Sequence, residues 1–378
     1  MKVAILYDCM YPYTVGGAER WYVNIAERLS EDHDVTYLTL QQWDDGHVPP
    51  EPYNVVTVGP RMQLYTETGR RKIGPPLSYG WGVFKHLLRH GGRYDVVHGA
   101  SFPYFSVIAA WLALLPRRTK IVVDWHELWT KQYWIDYLGP VGGRVGYFVQ
   151  WLCTLMPDQN FAFSKTHASR LRHGRVTQLT GEFVEHDRPA ALAPADTPPT
   201  VVFAGRQIPE KNAVVLPAAL AHAREQFGEL RGLIFGDGPE RDAVLAEIAR
   251  TGTGGFVEAP GFVDADELQR RLRAAGCMVL PSVREGYGMI VVEAVSVGTP
   301  AVVVDNPDNA AKELVEDGAN GFVAGGPEPA ALGDAIVRAL QGGQELREST
   351  WAWYDAHREA LSIDSSLRKI RAAYEQLS

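Results

Sequence analysis

The sequence contains few cysteines and no long hydrophobic segment. Its three cysteines, Cys9, Cys153 and Cys277, are widely separated among 378 residues. An odd number at such spacing makes neither a disulfide framework nor a metal site, which indicates a reducing compartment. The most apolar stretch, residues 102–116, is too short to span a bilayer comfortably. We predict a helix buried against a sheet there, with an interfacial membrane contact as the alternative.

Two further signals are missing near the N-terminus. The opening MKVAILYD has one lysine and a short apolar run, without a long hydrophobic region or a cleavage site. It is therefore interpreted as a strand and not as a signal peptide. No GxGxxG follows this strand, so the dinucleotide-binding fingerprint is absent.

The composition is that of a soluble globular protein, with 46% hydrophobic and 22% charged residues, and the length favours two domains. The net charge of −8 is uneven. Residues 1–188 carry 20 basic and 18 acidic residues, whereas residues 189–378 carry 17 and 27. A mildly basic first half could help to hold an anionic substrate or a membrane surface. Ordinary scatter of surface charge explains it as well.

Short apolar strands alternate with helical segments, which indicates parallel βαβ units. The predicted strands lie at 3–8, 34–40, 95–100, 120–125, 160–164, 200–205, 232–238, 255–261, 277–282, 301–306 and 321–325.

The fold class predicted from this rhythm is α/β, with two doubly wound, Rossmann-like parallel-sheet domains facing a central cleft. The first domain covers residues 1–187 and a Pro- and Ala-rich linker covers 188–199. The second domain covers 200–355, and a helix at 356–378 is expected to pack back on the first domain. Parallel sheets bind ligands beyond the carboxyl ends of their strands, so we expect the site in the cleft.

Two features of the first domain could bind a ligand. Gly16 and Gly17 follow the first strand and open a helix, where glycine backbone and free N–H groups suit a phosphate. A tight strand-to-helix turn explains them equally well. His98 and His126 each end a strand, although a lone histidine is more often a core or cap residue.

The second domain offers a pair of cations. Arg206 and Lys211 follow the strand at 200–205, and together they could clamp a diphosphate. The alternative is a pair of solvated loop charges, one of them paired with Glu210.

Two aspartates in this domain have the spacing of a metal site. Asp264 and Asp266 could together bind the metal of a nucleotide. However, Asp264 precedes a helix with Glu267 three residues on, and this capping pattern is the favoured interpretation.

The segment REGYGMIVVEA places Glu285 and Glu293 on either side of a glycine bend formed by Gly286 and Gly288. As the two acids of a hydrolase they would flank one glycosidic bond, roughly 5–10 Å apart. No acid with a raised pKa is evident, which disfavours a hydrolase. Two carboxylates around an amide-rich bend instead fit a nucleotide-sugar, with hydroxyls at both ends and phosphates between them.

In the order AGRQIPEK, FGDGPER, PGFV and EGYGMIVVE, these motifs resemble those of the retaining glycosyltransferases of family 4 and the two-domain GT-B type. The resemblance covers nearly the whole chain. It implies transfer of a hexosyl group from a UDP- or GDP-sugar to an acceptor hydroxyl by front-side attack, without a metal or another cofactor.

The resemblance also implies residue roles. Arg206 and Lys211 would bind the diphosphate, Glu285 the sugar hydroxyls and Glu293 the ribose. His126 would lie near the reacting centre, forming the catalytic set with Glu285, Arg206 and Lys211. The other donor contacts would be at Gly16, Gly17, Phe262, Val263, Gly286, Tyr287, Gly288 and Met289. The acceptor-side candidates are His98, Ser101 and Trp125.

One segment departs from the family pattern. Residues 305–314, DNPDNAAKEL, stand where many relatives have a glycine pair followed by Pro-Glu, which leaves the sugar-side contacts of this loop open. Two other functions remain possible, a nucleotide-sugar epimerase on the same architecture and a nucleotide- or sugar-binding protein without turnover.

The acceptor is predicted to be either small and polar or lipid-linked. A lipid-linked acceptor would use the aromatic stretch 125–151 and the basic residues Arg70, Arg71 and Lys72, although a packed subdomain is the favoured interpretation of that stretch. No nucleic-acid partner is expected, and the oligomeric state is predicted to be a monomer or weak dimer. The predicted location is cytoplasmic, with peripheral contact at the inner face of the membrane as an open alternative.

Overall fold

The computed structural model describes residues 1–14, 16–44, 50–63, 72, 74–181, 192 and 195–378. Arg70, Arg71 and half of the predicted linker 188–199 lie outside the described residues. The chain divides into two compact units. Unit 1 comprises Met1–Glu182 and Ile363–Ser378, and unit 2 comprises Phe183–Ser362. The divisions fall at 182/183 and 362/363, whereas the sequence predicted them at the linker 188–199 and at 355/356.

Unit 1 is built on a parallel sheet whose described part has seven strands in the order β3-β2-β1-β4-β5-β6-β7. The strands are β1 Lys2–Leu6, β2 Asp34–Leu40, β3 Asn54–Gly59, β4 Val96–Ala100, β5 Lys120–Trp125, β6 Gln159–Ala162 and β7 Arg175–Gln178. The inner strands are almost entirely buried, as continuous apolar runs predict. β3 and β7 were not predicted, because these edge strands are only half-buried and their hydrophobic pattern is weak.

The helices of unit 1 that precede residue 182 are α1 Gly17–Leu29, α2 Gly74–His90, α3 Tyr104–Leu114, α4 Lys131–Cys153 and α5 Lys165–Arg170. The strand order moves in one direction from β1 to β3 and in the other from β4 onward. Right-handed crossovers therefore place α1 on one face of the sheet and α2, α3 and α4 on the other. α3 packs against α2 and against α4, and α4 is kinked at Gly139, where φ is 77°.

α3 corresponds to the most apolar stretch of the sequence. The prediction that it is buried holds for one side only, because Val107, Ala110 and Ala113 are buried whereas Phe105 and Leu112 are exposed. Within the described ranges, no helix combines the length and the apolarity that crossing a bilayer requires.

Unit 2 confirms the predicted second parallel sheet, with six described strands in the order β10-β9-β8-β11-β12-β13. The strands are β8 Thr200–Ala204, β9 Arg231–Phe235, β10 Val257–Gly261, β11 Cys277–Leu280, β12 Ala301–Val304 and β13 Gly321–Ala324. The helices are α6 Leu216–Phe227, α7 Arg241–Thr251, α8 Ala265–Ala274, α9 Met289–Val295, α10 Pro329–Gln341 and α11 Gly343–Leu361. Both sheets reverse their strand order beside the first strand, which is where doubly wound sheets open a crevice for ligands.

The last helix, α12 Ile363–Leu377, returns to unit 1 as predicted. Arg371 Nε donates to Asp32 Oδ2 at 3.0 Å, and Lys369 Nζ donates to the carbonyl of Gln178 at 2.9 Å. The helix begins at Ile363, later than the predicted residue 356, because α11 continues to Leu361 and ends in an extended cap.

Candidate functional site

The loops after β8 and β11 bring the predicted cation and carboxylate of unit 2 together. β8 and β11 are parallel neighbours, so both loops leave the same edge of the sheet. Lys211 Nζ donates a hydrogen bond to Glu285 Oε2, and the two side chains form a half-buried ion pair. Ser282 Oγ lies 3.4 Å from the same carboxylate oxygen. The pair joins residues 74 positions apart in the sequence.

The backbone of Glu285 is held by the segment that departs from the family pattern. Its N–H donates to the carbonyl of Asp308 at 3.0 Å, and its carbonyl accepts from the N–H of Ala310 at 2.9 Å. Between these contacts lies Asn309, fully buried, whose Nδ2 donates to the carbonyl of Ser282 at 3.0 Å. Sequence reasoning missed Asn309. Its position in the sequence could have indicated this role, because Asn309 directly precedes a helical turn. An asparagine there often caps the N-terminus of the turn with its side chain.

A second ion pair lies beside the first. Arg284 and Glu210 are 3.2 Å apart, and the N–H of Val283 donates to the carbonyl of Glu210 at 3.0 Å. Glu210 therefore pairs with Arg284, a partner that the sequence analysis did not propose for it. Arg206 is exposed, and its guanidinium has no ion-pair partner in the described part of the chain.

The glycine bend before α9 has a conformation that requires glycine. Gly288 has φ of 104°, and a Cβ there would lie 2.7 Å from the Cβ of Ala311. Tyr287 is half-buried beside it, and its hydroxyl has no hydrogen-bond partner among the described residues. Burial raises the pKa of Tyr287 well above its ordinary value. Gly286 is buried, and Met289 and Glu293 are half-buried in the first two turns of α9.

The loop after β9 packs backbone to backbone against the loop after β8. Gly236 has φ of 108°, and a Cβ there would lie 2.0 Å from the carbonyl oxygen of Gly205. The fully buried Gln207 donates from Nε2 to the carbonyl of Gly236 at 2.9 Å. Its Oε1 is buried and has no hydrogen-bond partner in the part of the chain that the structure describes.

The end of β10 carries the residues predicted to meet the base. Phe262 is 79% exposed and Val263 is half-buried. Asp264 accepts from the N–H of Glu267 at 2.8 Å, which confirms the capping interpretation of this aspartate. In the described ranges, no group of three or more His, Cys, Asp or Glu side chains could hold a metal ion. The absence of a metal requirement stays a prediction.

In unit 1, a buried hydrogen-bond network surrounds Asp124 at the end of β5. Its carboxylate accepts from Trp21 Nε1 at 2.7 Å and Tyr22 Oη at 3.0 Å, and it lies 2.7 Å from His98 Nε2. The other ring nitrogen of His98 lies 2.7 Å from the hydroxyl of Tyr374 on α12. All five side chains are at most 1% exposed. Burial tends to raise the pKa of Asp124, but His98 and the other partners outweigh it and the pKa is lowered.

The three predicted acceptor-side residues are interior. His98 and Trp125 are fully buried and Ser101 is 2% exposed. Trp125 Nε1 donates to Asn160 Oδ1 at 2.7 Å, so its polar group is used inside the unit. The side chains of His98 and Trp125 are buried because β4 and β5 are central strands covered on both faces. Contact of these three residues with an acceptor stays a prediction.

His126 follows β5 directly. Its ring stacks on Phe163 with the centroids 4.5 Å apart, and it meets the edge of Tyr22 at 5.8 Å. Nε2 is buried without a hydrogen-bond partner among the described residues. Burial lowers the pKa of His126, and Asp124 and Glu127 offset this only in part. The lowered pKa favours the neutral form of the imidazole.

We expect the free energy of unfolding to fall as the pH drops below about 6.5, in part because of His126. A lowered pKa in the folded state means that the unfolded chain takes up the proton first. The stability contributed by neutral His126 is therefore present above the unfolded pKa and is lost as the pH falls through the folded one. In His126→Gln, urea unfolding at a series of pH values should show a shallower pH dependence. The exposed His173 provides the control, and equal slopes for wild type, His126→Gln and His173→Gln would refute the assignment.

The glycine pair after β1 begins with an ordinary extended backbone. Gly16 has φ of −175°, which is extended backbone that any residue adopts, so no conformation barred to other residues is needed there. Its missing side chain matters for space, because a Cβ would lie 2.3 Å from Glu19 Oε2. Gly17 is the first residue of α1, and a Cβ there would meet nothing within 4 Å.

Comparison with known proteins covers both units. Residues 15–178 match Glycosyltransferase Family 4, and residues 185–351 match the glycosyl transferases group 1 family. The solved structure of the Anabaena protein HepE in complex with UDP superposes with a TM-score of 0.75 over 100% of both chains, at 18% identity. This likeness shows the GT-B fold.

Relatives of known name agree with the family matches. A D-inositol 3-phosphate glycosyltransferase of Jonesia denitrificans is 31% identical over 53% of this chain and 49% of its own length. The chain thus spans about half the length of that relative. A D-inositol 3-phosphate glycosyltransferase of Streptomyces bingchenggensis is 33% identical over 83% of this chain and 75% of its own length. The predicted resemblance is thereby confirmed, and the chain belongs to the family 4-type glycosyltransferases of the GT-B fold.

Proposed function

We propose that the protein is a glycosyltransferase that moves a hexosyl group from a UDP- or GDP-sugar to an acceptor hydroxyl, with retention and without a metal. The observation that carries the proposal is the pairing of Lys211 with Glu285 beside the glycine bend of unit 2. It gathers at one sheet edge a cation for the phosphates and a carboxylate for the sugar hydroxyls.

The chemistry requires charge stabilisation more than a nucleophile. As the bond from the anomeric carbon to the diphosphate oxygen breaks, its electron pair goes to the diphosphate. The acceptor oxygen bonds to the same face of that carbon, and its proton passes to the departing phosphate oxygen. Lys211 is suited to stabilise the growing negative charge, and so is Arg206, which has no ion-pair partner among the described residues. Glu285 is engaged by Lys211 and Ser282, so we assign it to holding hydroxyls and not to covalent catalysis.

We assign His126 to the reacting side of unit 1. Its Nε2 has no hydrogen-bond partner among the described residues, so the neutral ring can exchange a hydrogen bond with a sugar hydroxyl without adding charge. The interior network of Asp124 and His98 supports the strand that carries it. His98, Ser101 and Trp125 are accordingly assigned to support, since their side chains are buried.

Donor and acceptor are proposed from the relatives' names. UDP is the first nucleotide to test, since the similar fold of HepE was solved with UDP. The two relatives named D-inositol 3-phosphate glycosyltransferases favour a small, polar, phosphorylated acceptor. A lipid-linked acceptor is the alternative for the same site.

A thermal-shift panel of UDP, GDP, ADP and TDP tests the proposal. A ligand that binds only the folded state stabilises it by about 2.7 kcal/mol at one hundred times its Kd. One diphosphate should raise the melting temperature more than the others. Glu293→Ala should reduce that shift, because Glu293 is assigned to the ribose, whereas Glu285→Ala should keep the shift and lose turnover.

Equal loss of nucleotide affinity in both glutamate variants would contradict the assigned roles, and no shift with any nucleotide would contradict the function. Incubation of the protein with the sugar donor and no acceptor distinguishes the two alternative functions. An epimerase converts the donor without an acceptor, whereas a binding protein retains nucleotide and turns over nothing.

A further inference from the structure

The outer surface of helices α2, α3 and α4 is unusually apolar. Of the nineteen exposed large hydrophobic side chains among the described residues, fifteen lie between Leu77 and Leu155. This interval contains most of α2 and all of α3 and α4, which lie on the same face of the unit 1 sheet. The outer sides of helices in α/β folds are ordinarily polar, since only the inner side packs on the sheet.

The exposed residues form stripes along the helices. On α4, Val141, Val145 and Phe148 follow a spacing of four and three, so they share one side. They are 75%, 58% and 56% exposed. The corresponding exposed residues on or beside the other helices are Leu77, Trp81 and Leu88 for α2 and Phe105, Leu112 and Leu115 for α3.

The three stripes adjoin one another. α3 lies between α2 and α4 and packs on both. At Gly80 of α2, a Cβ would lie 2.9 Å from Phe105 Cβ, so these two helices approach closely. We call the combined surface the three-helix face. An apolar patch of this extent on a soluble protein marks an interaction surface.

Basic residues surround the three-helix face. Lys85, Arg89, Lys131 and Arg144 of these helices are exposed, and α2, α3 and α4 together contain a single acidic residue, Asp136. Arg118 is exposed just beyond α3 and has no ion-pair partner among the described residues.

A groove continues the face beyond the carboxyl end of α3. Its volume is ≈ 1050 Å³, and its lining carries charges of both signs, with Arg118 and Lys120 beside Asp95 and Asp158. Lys120 Nζ lies 3.7 Å from Asp158 Oδ1, so its charge is paired within the groove. The basic residues of the three helices and the apolar stripes beside them complement an anionic headgroup layer over acyl chains.

We propose that the three-helix face docks on the surface of an anionic lipid bilayer. The exposed aliphatic and aromatic side chains enter the boundary between headgroups and acyl chains, while the basic rim meets the lipid phosphates. A second copy of the chain is a poorer partner for this face. In a two-fold symmetric dimer the same surface of both copies meets, so the basic rims would lie against each other and repel. This inference is independent of the proposed function, since it requires neither donor nor acceptor.

Vesicle flotation tests the proposal with the full chain. Wild-type protein should float with phosphatidylcholine vesicles that contain phosphatidylglycerol and much less with phosphatidylcholine alone. Val145→Glu and Trp81→Glu should each lower the bound fraction about tenfold, because each places a charge where an apolar side chain inserts. Raising the salt concentration should weaken the binding of wild-type protein to the anionic vesicles, because salt screens the attraction between the basic residues and the lipid phosphates.

Leu245→Glu is the matched control, since Leu245 on α7 of unit 2 is 42% exposed and lies outside the face. It should bind like wild type, and all variants should melt within a few degrees of wild type. The proposal is overturned if wild type fails to float with anionic vesicles, if Val145→Glu and Trp81→Glu float as well as Leu245→Glu, or if they instead dissociate a dimer seen by light scattering.

Discussion

Lys211→Ala is expected to lower the turnover of sugar transfer by about 10²–10³-fold at saturating donor. Removing one preorganised donor from a developing oxyanion costs about 2.7–4 kcal/mol of transition-state stabilisation. Lys211 is half-buried, so its charge is less screened than that of a surface lysine. The substitution also leaves the half-buried Glu285 carboxylate without its cation. Steady-state rates of product formation measure the effect.

Arg250→Ala provides the control in the same unit. Arg250 is exposed on α7, where it pairs with Glu247 on the same helix, and its loss should leave turnover unchanged. If the Lys211 pair only stabilises the loop after β11, Lys211→Ala would lower the melting temperature while keeping the turnover of wild type. That outcome would remove Lys211 from the catalytic assignment.

Asp124→Ala is expected to destabilise the protein by about 3–5 kcal/mol. The substitution leaves three buried partners, Trp21, Tyr22 and His98, without their shared acceptor. A buried donor that loses its acceptor keeps the full cost of its desolvation. Urea unfolding followed by circular dichroism measures the change in the free energy of unfolding.

The effect of Asp124→Ala should depend on pH in a defined direction. Because the folded pKa of Asp124 is lowered from an ordinary value of 3.8, its contribution is present above that value and is lost as the pH falls through the folded pKa. Wild type and variant should therefore converge in strong acid. Asp32→Ala removes a partly exposed pair with Arg371 and should cost about 0–1 kcal/mol. A loss in Asp124→Ala no larger than that would show that the network contributes little.

Much of the fold could be predicted from sequence, because its signals are local. Continuous apolar runs such as those of β1 and β12 are long enough to identify buried parallel strands. The edge strands β3 and β7 were not predicted, because half-buried strands lack such continuous apolar runs. The glycine bend at Gly288 was also visible in the sequence, since a left-handed backbone at that position favours glycine.

The composition of the site was predicted more completely than its geometry. The motif order named both Lys211 and Glu285, but it did not indicate that they pair. Asn309 was missed because its contacts with Ser282 and its neighbours arise only when the loops after β11 and β12 lie side by side.

By itself, the sequence determined most of the strands, that the chain has two parallel sheets, and which family it belongs to. Periodicity and short motifs carry that information within a few residues. Only the tertiary structure decided that His98 and Trp125 are interior, that Glu210 meets Arg284, and that the outer sides of α2, α3 and α4 form one apolar face. These features depend on which strands become neighbours and on which face each crossover packs, and no local pattern encodes either.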